Sequence, residues 1–381
     1  MTKIQQVNQF GLSIWYDNIS RSLIRSGELQ RRVDEGLSGV TSNPTIFDKA
    51  ITSGNDYDDE IRELIDKNPR ITTPEIIQSL MITDIQMACD VLAPVYERAS
   101  GRDGFVSIEV SPSKARNAKA TVEEVRLLWS RVRRKNLMVK IPATKEGLPA
   151  IEQSVHEGMN INITLIFSQE RYREVAFAYL TGLERRVREK KPLAGIASVA
   201  SVFVSRIDTL VDEMMNKTIS GAPPSEADRL RSLLGKTAVA NTKLTYQIFK
   251  EVFGSERFRA LEQKGATIQR PLWGSTGTKN PAYSDLLYVN SLIGGEVVNT
   301  VPPATYVAFL DHGSTTPSIE SDLEGARKVL RDLASARIDL RAVTDKLETD
   351  GVAAFEKSFE ALYKNLEQKR KEFFEEAVPR P

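Results

Sequence analysis

Residues 122–167 read VEEVRLLWSRVRRKNLMVKIPATKEGLPAIEQSVHEGMNINITLIF. The stretch decides the fold. Val122–Lys135 places apolar residues three and four apart, the spacing of an amphipathic helix. Leu137–Ile141 is a short apolar run, too short for a helix and rich enough for a buried strand. EGLPAIEQSVHEG is helix-like again, and Asn160–Phe167 is a second strand. Strand, helix and strand in succession make a parallel βαβ unit. Working outward, the same alternation gives further strands at Leu12–Asp17, Leu37–Asn43, Phe105–Val110, Ile196–Val202, Ile268–Trp273 and Val297–Val301. Helical spacing fills Thr73–Arg98, Ser168–Lys190 and Ala227–Phe253 between them, and the stretch IRSGELQRRV supplies a short helix in the first turn. Eight strands with intervening helices argue for a closed (β/α)8 TIM barrel rather than an open sheet. From Ser318 the chain becomes helix-forming and highly charged. We read residues 1–381 as a single-domain barrel, with 318–381 as additional C-terminal helices docked on its outside.

Within the quoted stretch, LMVKIP carries the sharpest chemical signal. A lysine inside an apolar strand is rare, because an ammonium is seldom buried without a partner. An edge-strand role is open only if the sheet has edges, which a barrel lacks. Snorkelling to the rim is a second bland reading. The third is an amine nucleophile at Lys140. A free lysine, with pKa ~10.4, is neutral in only about one molecule in 2500 at pH 7. A desolvated site would raise that fraction and favour an imine with a carbonyl substrate.

Other strands repeat the pattern. Strand residues alternate between faces, and in a barrel one face points inward. In Asn160–Leu165 the apolar set Ile161, Ile163 and Leu165 suits the helix side. Asn160, Asn162 and Thr164 then point inward, where polar groups need partners or a ligand. The pattern repeats: Thr41 and Asn43 share one face, as do Ser107 and Glu109, while strand one ends in Asp17 and strand six carries Ser201. A satisfied structural network and a binding site both fit such a layer.

The composition excludes several classes. The 381 residues hold 52 Lys+Arg against 51 Asp+Glu, a net charge of +1. No basic field is present to draw in nucleic acid or an anionic membrane. No run of 18 apolar residues suggests a bilayer span. One cysteine, Cys89, and an N-terminus without an apolar signal-peptide core fit a reducing, cytoplasmic setting. Two histidines, His156 and His312, cannot build a His/Cys zinc cluster, so no metal is expected. Any chemistry then falls to Lys, Asp, Glu, Ser and Thr. Gly235-Lys236-Thr237 imitates the end of a phosphate loop, but the first glycine of that motif would fall on Leu230. Gly274–Lys279, by contrast, follows a strand directly, and loops after strands seven and eight of such barrels frequently hold phosphate.

Six segments together resemble the transaldolase family of Schiff-base-forming enzymes: GVTSNPTIF (39–47), VSIEVSP (106–112), LMVKIPAT (137–144), INITLIFS (161–168), SVFVSRID (201–208) and PLWGSTGTKN (271–280). The length and charged C-terminal helices are similar to the longer bacterial form. The resemblance implies an eight-stranded barrel, no cofactor, phosphorylated sugar substrates and a monomer or homodimer. It implies that Lys140 forms the imine and that Asp17 takes the proton from the substrate C4 hydroxyl. It gives Glu109 and Thr164 a catalytic water. It gives Asn43, Asn162 and Ser201 the dihydroxyacetone unit, with Thr41 and Phe203 lining the pocket. Arg206 matches a phosphate-binding arginine; a second arginine found after strand seven in other members is missing, leaving Ser275 and Lys279 as candidates. The activity implied is transfer of dihydroxyacetone from sedoheptulose 7-phosphate to glyceraldehyde 3-phosphate. A fructose 6-phosphate aldolase and a non-enzymatic phosphosugar-binding barrel are the alternatives. Glu109 and Phe203 look like the transferase.

Overall fold

A computed structural model describes residues 1–377. Eight parallel strands close into a barrel in the order β1 to β8. They are β1 (Leu12–Tyr16), β2 (Gly39–Val40), β3 (Phe105–Glu109), β4 (Leu137–Pro142), β5 (Ile161–Ile166), β6 (Ser198–Phe203), β7 (Gln269–Gly274) and β8 (Val297–Val301). All eight expected strands form. β2 is shorter than expected, but Ser38 N–H to Ile14 C=O and Thr41 N–H to Tyr16 C=O prolong its contact with β1, at 3.0 and 2.9 Å.

Helix boundaries follow local chemistry. The Asn117 side chain caps Ala118–Val132, and Ser168 caps Gln169–Arg188. Gly158, at φ +92°, ends the helix Gly147–Glu157 in the left-handed conformation glycine allows. Two expected helices are broken. Gly27 (φ +76°) separates Arg21–Arg25 from Glu28–Asp34, and Gly235 (φ +69°) stands between Pro224–Arg231 and Thr237–Phe253. The long apolar helix Thr73–Arg98 spends its hydrophobic face on the barrel, and its buried Asp84 holds Arg21 at 2.7 Å.

The inside of the barrel is layered. Trp15, Phe105, Met138, Val199, Leu272 and Val298 form an apolar plug separate from the outer core. Gly39 makes room for it: a Cβ there would stand 2.4 Å from the Trp15 indole. Two residues further along four of these strands, toward the C-terminal rim, the inward positions turn polar. Met138 gives way to Lys140, Phe105 to Ser107, Val199 to Ser201 and Val298 to Thr300. The polar layer therefore rests on a packed floor, at the end of the barrel where such folds build their sites.

β5 departs from simple alternation. Its register against β6 shifts between Ile163 and Ile166, and Leu165 adopts φ +62°. The bulge interrupts the alternation, yet Leu165 still packs in the outer core, as its helix-side position predicts. Its side chain reaches Gly351, where a Cβ would lie 3.0 Å from Leu165 Cδ2. Gly351 belongs to the final helix, Leu340–Ala377, which follows Leu323–Ser335. That helix packs on Pro44–Thr52, Asp58–Lys67, Thr73–Arg98 and Ser205–Ile219, and it touches β5. It thus passes over the C-terminal rim of the barrel.

Candidate active site

A cavity of about 630 Å³ opens above the polar layer. Lys140 stands at its floor, 4% exposed. Its ammonium donates to the Ser42 carbonyl at 3.0 Å and lies 3.2 Å from Glu109 Oε2. The strand position explains both partners: Glu109 is directly opposite Lys140 in the β3–β4 ladder. Glu109 is only 5% exposed, and burial pushes its carboxyl above the ordinary range while Lys140 pulls it back. Asp17 follows β1 at the cavity wall. The Thr41 hydroxyl donates to it at 2.7 Å, and the Thr300 hydroxyl stands 2.6 Å from that of Thr41. Burial raises Asp17 as well, opposed by Lys140, Thr41 and Lys279. A carboxylate raised in this way is better matched to proton transfer near neutral pH than a free one.

Nine of the twelve sequence-predicted residues line this one cavity: Lys140, Asp17, Thr41, Asn43, Ser201, Phe203, Arg206, Ser275 and Lys279. Asn43 also caps the helix Pro44–Thr52 by accepting from Ile46 N–H at 3.0 Å. The other three are buried and form no part of the lining: Glu109 and Asn162 stand opposite Lys140 in the flanking ladders, and Thr164 opposite Pro142. Asn162 is satisfied within the barrel: its amide donates to Ser107 at 3.0 Å and its carbonyl accepts from Ser201 at 2.7 Å. In contrast, Thr164 Oγ1 has no hydrogen-bond partner among the described residues. Asn160, lower on the same strand, is a structural tie between the Lys135 carbonyl at 3.0 Å and Ala197 N–H at 2.9 Å. Asn160 is thus structural, while Asn162 links Ser107 to Ser201 in the polar layer that holds Lys140.

One end of the cavity is cationic. Arg206 opens the helix Ser205–Ile219, with its guanidinium 5.3 Å from the centre of the Phe203 ring. Phe203 is held edge-on by Phe167, ring centres 5.7 Å apart. Burial depresses the Arg206 guanidinium, with Asp350 opposing. Neighbouring Ser205 pairs with Ser275, hydroxyl to hydroxyl at 3.0 Å, so the start of this helix and the segment after β7 sit together. Lys279 lines the same cavity. A partly buried guanidinium with a lysine and hydroxyls suits a phosphate.

Sequence reading missed Lys49, Thr300 and Phe355, which also line the cavity. Thr300 was legible: VVNTV alternates, and it lies two residues beyond the inward Val298. Phe355 was not, because nothing local says that the last helix crosses this rim. Neither histidine is in the cavity: His156 stands 2.9 Å from Glu189, and His312 is exposed beside Asp285 and Asp311. Among the described residues no cluster of three His, Cys, Asp or Glu could hold a metal ion.

A buried lysine with a carboxylate partner, a second carboxylate across the cavity and a cationic end can form an imine, move a proton and hold a phosphorylated chain. The sequence pattern of the family Transaldolase/Fructose-6-phosphate aldolase matches residues 14–366. Transaldolase 2 of Nostoc punctiforme is 45% identical over 371 residues, covering 96% of this chain and 97% of its own. Transaldolase of Thermobifida fusca is 46% identical over 367 residues, with the same coverage. Transaldolase of Trichodesmium erythraeum is 42% identical over 370 residues, again with 96% of this chain and 97% of its own covered.

Proposed function

The chain belongs to the transaldolase/fructose-6-phosphate aldolase family, and from that premise we propose how its own residues carry out the transfer. The activity is that of a transaldolase. A dihydroxyacetone unit moves from sedoheptulose 7-phosphate to glyceraldehyde 3-phosphate, giving erythrose 4-phosphate and fructose 6-phosphate. The observation that carries the residue assignment is the position of Lys140, buried on β4 at the cavity floor and 3.2 Å from Glu109.

Lys140 Nζ, after giving up a proton, attacks the donor's C2 carbonyl. Glu109 takes and returns protons as water leaves and the iminium forms, a role its distance of 3.2 Å from Lys140 supports. Thr164 Oγ1, buried and unpartnered, offers the second contact for that water. Asp17 then takes the C4 hydroxyl proton. The C3–C4 bond breaks, its electron pair flows into the iminium, and the four-carbon aldehyde leaves. The three-carbon enamine stays on Lys140. It attacks the acceptor aldehyde, Asp17 returns its proton to the new alkoxide, and hydrolysis of the iminium frees the product. Asn43 and Ser201 face the dihydroxyacetone hydroxyls, and Asn162 aligns Ser201. Arg206, Ser275 and Lys279 hold the phosphate, which fixes the reacting carbons by remote binding.

A coupled assay of erythrose 4-phosphate and fructose 6-phosphate formation from the two substrates tests the activity. Both products should appear in equal amounts and should stop in Lys140→Met. Free dihydroxyacetone as the main product would overturn the transferase reading.

A further inference from the structure

We propose that Asp208 and Asp212 are positioning residues for the substrate phosphate: they hold the segment after β7 against the helix that Arg206 opens. The inference rests on the phosphate assignment made above.

Residues 275–286 contain no helix or strand, yet they carry Ser275 and Lys279 to the cavity. Such a segment needs ties to present side chains reproducibly. Its first tie is at Ser275, which sits at φ +53°, a conformation non-glycine residues rarely adopt. There Val204 N–H donates to Gly274 C=O at 3.0 Å and Ser205 N–H to Ser275 C=O at 3.1 Å. The far end is tied by two tyrosines. Tyr288 donates to Asp208 Oδ2 at 3.0 Å, and Tyr283 donates to Asp212 Oδ2 at 2.7 Å. Asp208 lies two residues after Arg206, and Asp212 follows one turn later on the same face. One helix therefore presents the phosphate-binding arginine and anchors the segment that completes its pocket.

The anchor is chemically expensive. Asp208 is 1% exposed and Asp212 7%, and among the described residues neither makes an ion pair. Their other oxygens accept backbone N–H groups at and just before the start of the helix Thr237–Phe253, Ala238 at 2.7 Å and Gly235 at 3.1 Å. Burial pushes Asp208 up to about 7, and the neighbouring Asp212 adds to the rise. Two like-charged buried groups without a cation are a poor choice for stability alone, and strongly perturbed carboxyls gather at functional sites. A pure capping role for Ala238 and Gly235 would need the carboxylates but not the tyrosine hydroxyls.

That difference gives the test. Tyr283→Phe, Tyr288→Phe and the double variant keep both carboxylates and both backbone contacts. The transfer from saturating sedoheptulose 7-phosphate is measured with glyceraldehyde 3-phosphate and with unphosphorylated glyceraldehyde as acceptor. The double variant should raise KM for the phosphorylated acceptor about tenfold, the effect of losing roughly 1.4 kcal/mol of binding. Its kcat, and its kcat/KM for glyceraldehyde, should stay within about twofold, since tenfold corresponds to the lost positioning alone. Asp208→Asn, which retains an acceptor for Ala238 N–H and an amide for Tyr288, should be milder than Asp208→Ala. Arg206→Ala is run alongside. If Arg206→Ala discriminates between the acceptors and the double variant does not, the positioning role is wrong while the phosphate site stands. If Arg206→Ala treats both acceptors alike, the phosphate site fails and the positioning role fails with it.

Discussion

Replacing Lys140 by methionine removes the amine, keeps the length of the chain and leaves Glu109 alone in the barrel. The consequence for stability can be worked out. Glu109 is 5% exposed, and neither of its carboxylate oxygens has a hydrogen-bond partner among the described residues. Lys140, at 3.2 Å, is its one ion-pair partner among the described residues. Breaking a buried pair by deleting one member costs about 3–5 kcal/mol, because the survivor is an uncompensated charge. The carboxyl escapes that cost by taking a proton, so the penalty depends on pH. Its folded pKa is already raised by burial, and without Lys140 it rises further. A group raised on folding favours the native state below its unfolded pKa, and that advantage is lost as pH climbs to the folded value. Lys140→Met should therefore be close to wild type in stability at pH 5 and destabilised by about 3–5 kcal/mol at pH 9, with a slope no steeper than about 1.4 kcal/mol per pH unit for one group. Asp17 also loses the pull of Lys140, so Lys140→Met with Glu109→Gln should keep a shallower slope. Urea unfolding followed by tryptophan fluorescence at pH 5, 7 and 9 measures this, with transfer activity assayed on the same samples. Transfer should be absent at every pH. A penalty that is flat with pH, or unchanged by adding Glu109→Gln, would refute the reasoning.

Arg206→Ala should raise KM for phosphorylated sugars ~10²-fold, since a charge-assisted contact is worth on the order of 2–3 kcal/mol; equal losses on unphosphorylated substrates in steady-state kinetics would exclude the phosphate role. Phe203→Tyr places a hydroxyl on the wall between Phe167 and Arg206. It should increase free dihydroxyacetone released from fructose 6-phosphate relative to transfer, because the new group can hold a hydrolytic water near the iminium. An unchanged product ratio in a folded, imine-forming variant would remove Phe203 from that argument. Asp208→Asn removes a carboxyl whose folded value is about 7, faced by Asp212, Tyr288 and backbone N–H groups. Wild-type stability from this group is highest below the unfolded carboxylate range and falls as pH rises to about 7, so the stability difference, variant minus wild type, should grow over pH 4–7 and then level off. A difference that shrinks with rising pH in denaturant titrations would reverse the sign we assign.

Much of this was legible in local pattern. Period-two alternation on eight short runs gives the barrel, and on LMVKIP it sends Lys140 inward. The same alternation sets Asn162 and Ser201 beside it, because the period belongs to the strand itself. It does not foresee the bulge at Leu165, where the register shifts and the side chain packs under Gly351. It leaves Asn160 open between a structural and a binding role, since a buried amide reads the same whether it binds carbonyls or substrate. Two helices were joined across Gly27 and Gly235, where helical spacing outlasts the helix. Phe355 and Lys49 were invisible for a different reason. Each lies on a helix whose own periodicity says which face is apolar, but not that the face borders a cavity.

The central claim is that one lysine carries the transferred unit. Borohydride reduction in the presence of fructose 6-phosphate, followed by peptide mass spectrometry, tests it most directly. We expect a single reduced dihydroxyacetone adduct on Lys140 in the peptide spanning LMVKIP, and none in Lys140→Met. An adduct on another lysine such as Lys279 or Lys49, or continued transfer by Lys140→Met, would contradict the account.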